Sequence, residues 1–445
     1  MSTPNLTVVV EPSLGGAVLF GPLAITSSSS NQAAQLSLRL WITNNTSTSV
    51  VVNTIGLSFV PPPIVNPVAI PVNIGISPGD TTLWNFATAN NIFLPEPPPP
   101  TCAVSVWCNG FSDPLTITLP LDPHSNPVTG GAYLFPARAD DLRDGEFWQG
   151  ISGVHSPAGG GVQLFGYDMG VVAYDGQSDA WTELLPGGVK DKNEDYRVWG
   201  KPIYAMADGE VQSSSNDKPT NPNPPSDLSP PDPVEGNHFY IQHGPELVLY
   251  AHLQQGTLNG DLLESGSPVK AGDFLGLAGN SGNSSGPHLH LHGIRGTSPW
   301  QGPPQPITFR NSWVVDRAAL SGYSAQGPWV KLKGQCLPAA LSLIWPNAEV
   351  PIGWRVDLAS FRTIDPLALI LSGEVYVKLT LPDPPPIEVL RAYVRSQART
   401  ASAAEKRQAL NRARALRTYV DAVEQEIGTR FGEVQKAVDA KLPHD

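Results

Sequence analysis

The sequence has few charged residues and few cysteines for its length. Only 15% of its 445 residues are charged, and the formal net charge is −12. An acidic chain is a poor match for nucleic acid or for an anionic membrane surface, so we expect neither as a partner. Three cysteines do not make a disulfide framework. Cys102 and Cys108 fall in one alternating run and would lie about 20 Å apart along a strand, too far for a bridge. If that strand prediction is wrong, a disulfide between two cysteines in loops is the alternative.

Long apolar runs are also missing. No window reaches eighteen apolar residues, so the sequence predicts no transmembrane helix. The opening stretch, MSTPNLTVVVEPSLGG, has neither a basic leader nor a long apolar run and indicates no secretory signal. We therefore expect a chain that is made soluble in the cytoplasm and released, where it is released, by lysis or a non-classical route.

Proline (46 residues) and glycine (42) are abundant, which favours short strands and many turns. Residues 1–130 alternate short apolar runs with Pro/Gly breaks, a pattern typical of an Ig-like antiparallel β-sandwich with a binding or docking role. Residues 131–330 are expected to form a central antiparallel β-sheet domain, and 331–386 a strand-rich extension. In 387–445 apolar residues follow helical spacing, which predicts an amphipathic α-helical tail that packs on the chain or recruits a protein. The fold class is thus predicted to be mainly β.

A Pro/Asp/Ser-rich insert runs from Ser213 to Gly236 inside the central domain. Its composition cannot form a core, and it separates the strand-like runs KPIYAMADGEVQ and NHFYIQHG. We expect a long hairpin loop that forms a mobile wall of a groove and tunes substrate choice without contributing chemistry.

Three of the nine histidines stand at every second position of SSGPHLHLHGIRG, as His288, His290 and His292. This is the period of a β-strand, which places the three rings on one face with neighbours about 6.5–7 Å apart. Two rings at this spacing can serve one metal-centred site. The alternative interpretation is a half-buried strand whose histidines face water, and residues elsewhere must decide.

Three other segments carry candidate groups. Asp168 lies in the apolar run VQLFGYDMGVV, where an unpaired carboxylate would be costly. His252 ends the run LVLYAH, and His155 stands upstream of Asp168 beside the turn AGGG. Two histidines and one carboxylate are a common ligand set for catalytic zinc, which keeps a fourth position open for water.

Several segments, in their order along the chain, resemble the lysostaphin-type zinc endopeptidases, which cut peptide cross-links in bacterial peptidoglycan. They are YDMGVV, GKPIYAMADGEVQ, GNHFYIQHG, LVLYAHLQQG and SGSPVKAGDFLGLAGNSGNSSGPHLHLHGI. The resemblance covers about residues 150–296 and is most specific in GNSGNSSGPHLH. It implies a compact antiparallel β-sheet fold with a substrate groove, the duplicated hybrid motif. It also implies a zinc-dependent endopeptidase with peptidoglycan peptides as substrate.

The resemblance also implies roles for single residues, position by position. His290 and Asp168 would be zinc ligands, whereas His288 and His252 would be catalytic and would work beside the bound water. His292 occupies a position where many members carry Glu or another polar group, so we expect it at the rim or behind the ligands.

The third zinc ligand is the least regular part of the pattern. Many members place three residues between the ligand His and Asp, whereas twelve lie between His155 and Asp168. His238 and His243 flank a strand that the family does not use for metal, and His292 would lie too far along the strand from His290. His155 is therefore the predicted ligand.

Two other classes of function stay open. A non-hydrolytic relative would bind cell wall or activate another hydrolase, but such relatives lose ligands, and this sequence has a candidate for each. A phage or injection-apparatus component that carries this domain would fit the missing secretory signal.

Overall fold

The computed structural model describes most of the first 349 residues. The described ranges are 3–60, 68–85, 92–143, 145–152, 155, 158–175, 178, 180–223, 233–317 and 329–349. Within them the chain is mainly β, as predicted, with a single α-helix, α1 (Ala158–Gly161). None of the helices in these ranges is long and apolar enough to cross a membrane. The predicted strand run GEVYVKLTL and the helical tail 387–445 lie outside the described residues.

The N-terminal region consists of short strands separated by turns. They are β1 (Leu6–Glu11), β2 (Ser13–Leu14), β3 (Ala17–Pro22), β4 (Ala34–Leu36), β5 (Arg39–Asn44), β6 (Val50–Val60), β7 (Val68–Ile76), β8 (Thr81–Asn85), β9 (Ile92–Leu94), β10 (Thr101–Cys108) and β11 (Leu115–Pro123).

These strands form two sheets around one core. One sheet has the order β1-β5-β8, and the other has the order β7-β6-β10-β11-β3-β4-β9 with β2 beside β3. Val10 and Ile42 from the first sheet share a buried cluster with Val52 and Val104 from the second. The expectation of wholly antiparallel pairing is wrong for β3 and β11, which pair in parallel. The chain passes through β4 to β10 between them, so no tight hairpin sets opposite directions.

Cys102 and Cys108 both lie in β10, and they are buried and free. The prediction that these two cysteines share a strand and form no disulfide is confirmed.

The second half of the described chain begins at Tyr133. Its strands are β12 (Tyr133–Leu134), β13 (Glu146–Gly150), β14 (Tyr167–Asp175), β15 (Ala180–Thr182), β16 (Pro202–Tyr204), β17 (Gly209–Ser215), β18 (Asn237–His243), β19 (Glu246–Leu253), β20 (Pro268–Val269), β21 (Phe274–Leu277), β22 (Leu289–Arg295), β23 (Pro304–Gln305), β24 (Phe309–Asp316), β25 (Val330–Gln335) and β26 (Ser342–Trp345). Short 3-10 turns occur at Ser27–Ser29, Ala139–Asp141, Asn193–Asp195 and Gly260–Leu262.

A large sheet with the order β12-β24-β26-β13-β14-β22-β19-β18-β17-β20 positions the candidate residues. Its pairs are antiparallel except β12 with β24. Strand β22 lies between β14 and β19, so three segments that are distant in sequence become neighbours. Because β17 and β18 pair with each other, the segment between them closes a hairpin.

Strands β25 and β26 join this same sheet through β24 and β13, so the sheet continues beyond residue 330. All described residues belong to one compact unit. The division into four regions at 130, 330 and 386 stays a prediction.

Candidate metal centre and active site

The centre of the site lies where β14 pairs with β22. Asp168 stands opposite His290 in the register, and the Asp168 Oδ1 atom lies 2.9 Å from His290 Nδ1. The Nε2 atom of His155 lies 3.2 Å from the same oxygen. The ligand atoms offered by these three residues all lie within 4.8 Å of one another. The structure therefore brings the three predicted ligands together, despite the long interval between His155 and Asp168.

Glycines shape the turn that leads from His155 into β14. Gly160 and Gly161 have positive φ angles of 70° and 81°, which glycine adopts without strain. A Cβ atom on Gly166 would lie 3.2 Å from Cγ of His155. The ring of His155 thus lies against a position that offers space because it carries no side chain.

His252 and His288 flank the three predicted ligands. Their ring centroids lie 4.8 Å apart, and that of His252 lies 5.7 Å from that of His290. The Nδ1 atom of His252 is 2.8 Å from the carbonyl oxygen of Ser281, and Nδ1 of His288 is 2.8 Å from that of Gly286. Since a carbonyl oxygen only accepts, both Nδ1 atoms donate, and Nε2 is the acceptor of each neutral ring.

The backbone at His252 departs from the ordinary strand. Its φ is 63°, a left-handed value that typically costs a non-glycine residue about 1–3 kcal/mol. Its N–H donates to the carbonyl oxygen of Glu235 at 3.0 Å, and its ring is held by Ser281. Two hydrogen bonds from other segments therefore fix this conformation.

His292 was expected either at the rim of the site or behind the proposed ligands. It lies behind His290. It is 0% exposed, and its Nδ1 atom lies 2.9 Å from His290 Nε2. Its own Nε2 is buried without a hydrogen-bond partner among the described residues. Its ring lies 5.4 Å from that of Trp300, whose indole N–H donates to Glu235.

Burial decides between the two interpretations of the histidine triplet. His290 is 3% exposed and His292 is 0% exposed, so these histidines do not face water. Leu289 and Leu291, which alternate with them, join the main hydrophobic core on the opposite face of β22. The expectation of a buried Asp168 is wrong, because 51% of its side chain is exposed.

The charges of the cluster suit metal binding. Partial desolvation by the surrounding rings would raise the pKa of Asp168, but hydrogen bonds from His155, His288 and His290 outweigh it and hold this pKa well below its usual range. Burial lowers the pKa of His290 to about 4, although Asp168 opposes this shift. Burial, together with His288 and His290, also lowers the pKa of His252. An ionised carboxylate beside neutral imidazoles is the state that metal ligation needs.

His288 differs from its neighbours. Burial would lower its pKa, but the hydrogen bond and negative charge of Asp168 raise it above the ordinary value. Its Nε2 atom lies 3.4 Å from Asp168 Oδ1, and 20% of its side chain is exposed. His288 is thus the most exposed histidine of the triplet and faces the carboxylate.

Residues 192–301 match the family model described as Peptidase family M23. This stretch is similar to M23 peptidases. The predicted resemblance to lysostaphin-type peptidases is therefore confirmed. The stretch matched to the M23 model contains His252, His288 and His290, whereas His155 and Asp168 precede it. Only the fold brings these two residues to the M23 histidines.

Curated relatives match a similar part of the chain. This chain is 34% identical over 92 residues to the peptidoglycan DD-endopeptidases ShyC and ShyA of Vibrio cholerae serotype O1. The matched residues are 20% of this chain. It is 32% identical over 101 residues to an uncharacterised metalloprotease of Haemophilus influenzae, which covers 22% of this chain. Each match spans 17% of the relative's own length.

Among solved structures, the chain is similar to the catalytic domain of the antimicrobial peptidase lysostaphin from Staphylococcus simulans. The identity is 20%, and the match covers 28% of this chain and 82% of that chain with a TM-score of 0.18.

The sequence did not reveal the residues that hold His252 and His288. Ser281 and Gly286 act through backbone carbonyl groups, which no side-chain pattern reports. Glu235 belongs to the Pro-rich insert, which was expected to contribute no chemistry. It is nevertheless buried, and it accepts hydrogen bonds from Tyr240 and Trp300 beside His292.

Proposed function

We propose that the chain is a zinc-dependent endopeptidase that hydrolyses peptide bonds of bacterial peptidoglycan, on a domain of the duplicated hybrid motif. The carrying observation is the convergence of His155, Asp168 and His290 within 4.8 Å, beside two further histidines. The M23 match supports a peptidase, and the names of the Vibrio cholerae relatives support peptidoglycan as the substrate.

The donor set fits a zinc ion. Two imidazole nitrogens and one carboxylate oxygen make three protein ligands, which leaves the open fourth position of a catalytic site. The donor atoms of His155 and His290 lie 3.2 and 2.9 Å from Asp168 Oδ1. Donors at about 2.1 Å from a tetrahedral ion are roughly 3.4 Å apart, so small adjustments would admit the ion.

Two histidines of the chain can move protons at this site. A zinc ion bound there would polarise the scissile carbonyl and lower the pKa of water. Because Nδ1 of His252 is held by a carbonyl oxygen, its Nε2 can take a proton from the attacking water, whereas Nε2 of His288, which donates to Asp168, can supply one. The same Nε2–H can then donate to the developing oxyanion or return the proton to the leaving amine.

Hydrolysis fits these residues better than a purely binding role. A non-hydrolytic relative has no need for three ligand groups and two oriented imidazoles in one place. All five side chains are present and adjacent in the described structure.

The test combines metal content with product analysis. The purified chain should contain one zinc per molecule and should release peptide fragments from defined peptidoglycans, identified by mass spectrometry. Chelation should abolish release, and added zinc should restore it. Lytic activity that survives complete removal of metal would refute the proposal, and metal binding without cleavage would favour the binding role.

A further inference from the structure

The N-terminal region contacts the turn that joins the two upstream ligands. Gln35, at the centre of β4, donates from Nε2 to the carbonyl oxygen of Leu164 at 3.1 Å. Arg39, the first residue of β5, donates from Nη1 to the carbonyl oxygen of Gly160 at 3.1 Å. Both donors are buried, with 1% and 4% exposure, so water competes little for these bonds.

The same turn packs closely against β8. A Cβ atom on Gly160 would lie 3.1 Å from a methyl group of Leu83, and one on Gly161 would lie 3.1 Å from Cβ of Asn85. Both residues also have positive φ angles, which glycine adopts without strain and other residues rarely do. Close packing and backbone conformation therefore both favour glycine at these two positions. The AGGG segment is thus shaped to let its backbone approach the N-terminal sheet.

The contact leads directly to the predicted ligands. Leu164 lies two residues before Gly166, and the ring of His155 lies against Gly166. Asp168 follows Leu164 by four residues. A hydrogen bond that fixes the carbonyl group of Leu164 therefore also restrains Gly166, which supports the ring of His155. It restrains the start of β14 as well, the strand that carries Asp168. Asp168 itself is half-exposed.

We infer that Gln35 and Arg39 are positioning residues for the metal site, and that the N-terminal region completes the peptidase and is not only a docking module. This inference rests on the proposed function, because it gives the 158–166 turn the task of presenting His155 and Asp168 to zinc. It also accounts for the long interval between these residues, since a turn of this length reaches the N-terminal sheet.

The test compares matched apolar substitutions in the full-length chain. Gln35→Leu and Arg39→Met remove the donors to the turn while they retain much of the side-chain volume. Asn44→Leu is the control: Asn44 is buried in the same region and donates to the carbonyl oxygens of Thr48 and Ile76, away from the turn. All three substitutions should lower stability, but only the first two remove contacts to residues 158–166.

Three measurements separate positioning from general destabilisation. The zinc dissociation constant should rise about tenfold in Gln35→Leu and Arg39→Met, the lower end of effects from groups behind the ligands. The visible absorption spectrum of the Co²⁺-substituted protein should change in these two variants, and amide hydrogen exchange in 158–166 should accelerate. Asn44→Leu should match the unaltered chain in all three.

Unchanged zinc affinity and Co²⁺ spectrum in the two folded variants would overturn the inference, as would an equal effect of Asn44→Leu. If Gln35→Leu loses the N-terminal core, Arg39→Met decides alone. A wild-type chain that binds no zinc would instead refute the proposed function, and hydrogen exchange would still decide whether the two side chains hold the turn.

Discussion

The Nε2 atom of His290 lies 2.9 Å from the Nδ1 atom of His292, its neighbour two residues along the same strand. The other nitrogen of His290 faces Asp168. If Nδ1 of His290 binds zinc, Nε2 must carry the hydrogen, and His292 must accept it. In that case His292 would orient the proposed ligand and select its tautomer.

Replacement of His292 tests this relationship. We expect His292→Ala to weaken zinc binding by about 10–100-fold, the usual cost of losing a partner behind a ligand. His292→Gln supplies an acceptor oxygen and should recover part of the affinity. Competition titration with a chromophoric chelator measures both, and equal zinc affinity in His292→Ala and the wild type would contradict the role.

His155 is the proposed ligand that the sequence motif supports least. We expect His155→Ala to lose most of the zinc affinity, because three protein ligands would become two. His238→Ala and His243→Ala are matched controls, since these buried histidines bond to the carbonyl oxygens of Gly236 and Asp208. Metal content after dialysis is the measurement, and full occupancy in His155→Ala would move the third ligand elsewhere.

His252 and His288 should separate turnover from metal binding. Each substitution to Ala should lower the rate of peptidoglycan cleavage at least about 10²-fold, the usual scale of general acid–base catalysis. Zinc should stay bound, because neither ring belongs to the ligand group that the geometry selects. Loss of metal from either variant would show that the ligands have been assigned wrongly.

Local sequence signals predicted the parts of the site that depend on neighbouring residues. Strand alternation placed His290 and His292 on one face of β22, and the GNSGNSSGPHLH motif indicated the family. The exposure of Asp168 and the left-handed backbone of His252 could not be predicted this way. Both depend on hydrogen bonds and packing from segments that are distant in sequence. The bond between Gln35 and Leu164, 129 residues apart, is of the same kind.

Asp316 should make the stability of the chain depend on pH. This buried carboxylate accepts hydrogen bonds from the hydroxyl groups of Thr26 and Ser27 and from the N–H of Ser28. Burial alone would raise the pKa of Asp316, but these bonds outweigh it and lower the pKa below its ordinary 3.8. A carboxyl group stabilises the fold when its pKa is lower in the folded state than in the unfolded state. This stabilisation is complete at pH values above the unfolded-state pKa and is lost as the pH falls through the folded-state pKa.

Asp316→Asn should therefore lower the free energy of unfolding by about 1–3 kcal/mol near neutral pH. The difference from the wild type should shrink in acid, because the wild type loses the same interaction there. Urea unfolding at about pH 7 and about pH 3 measures both quantities. A difference that is constant across this range would show that ionisation of Asp316 does not stabilise the fold.

The ends of the Pro-rich insert contact the site. Replacement of all of residues 213–236 by a short turn would therefore remove contacts that support the site. The Asn221 side chain donates to the carbonyl oxygens of Gly282 and Ser284, at 2.6 and 3.1 Å. The carbonyl oxygen of Glu235 accepts from the N–H of His252. Replacement of the whole insert should therefore disturb His252 and the loop that precedes His288.

The central part of the insert offers a sharper test of its proposed effect on substrate choice. We expect replacement of residues 224–232 by a Gly/Ser sequence of equal length to leave zinc content and thermal stability unchanged. The Pro-rich composition of this part cannot form a core. The ratio of cleavage rates on two peptidoglycans with different cross-bridges should change, with Glu235→Gln as a control that lowers activity on both. An unchanged ratio would exclude a role in substrate choice, and loss of folding would show that these residues stabilise the domain.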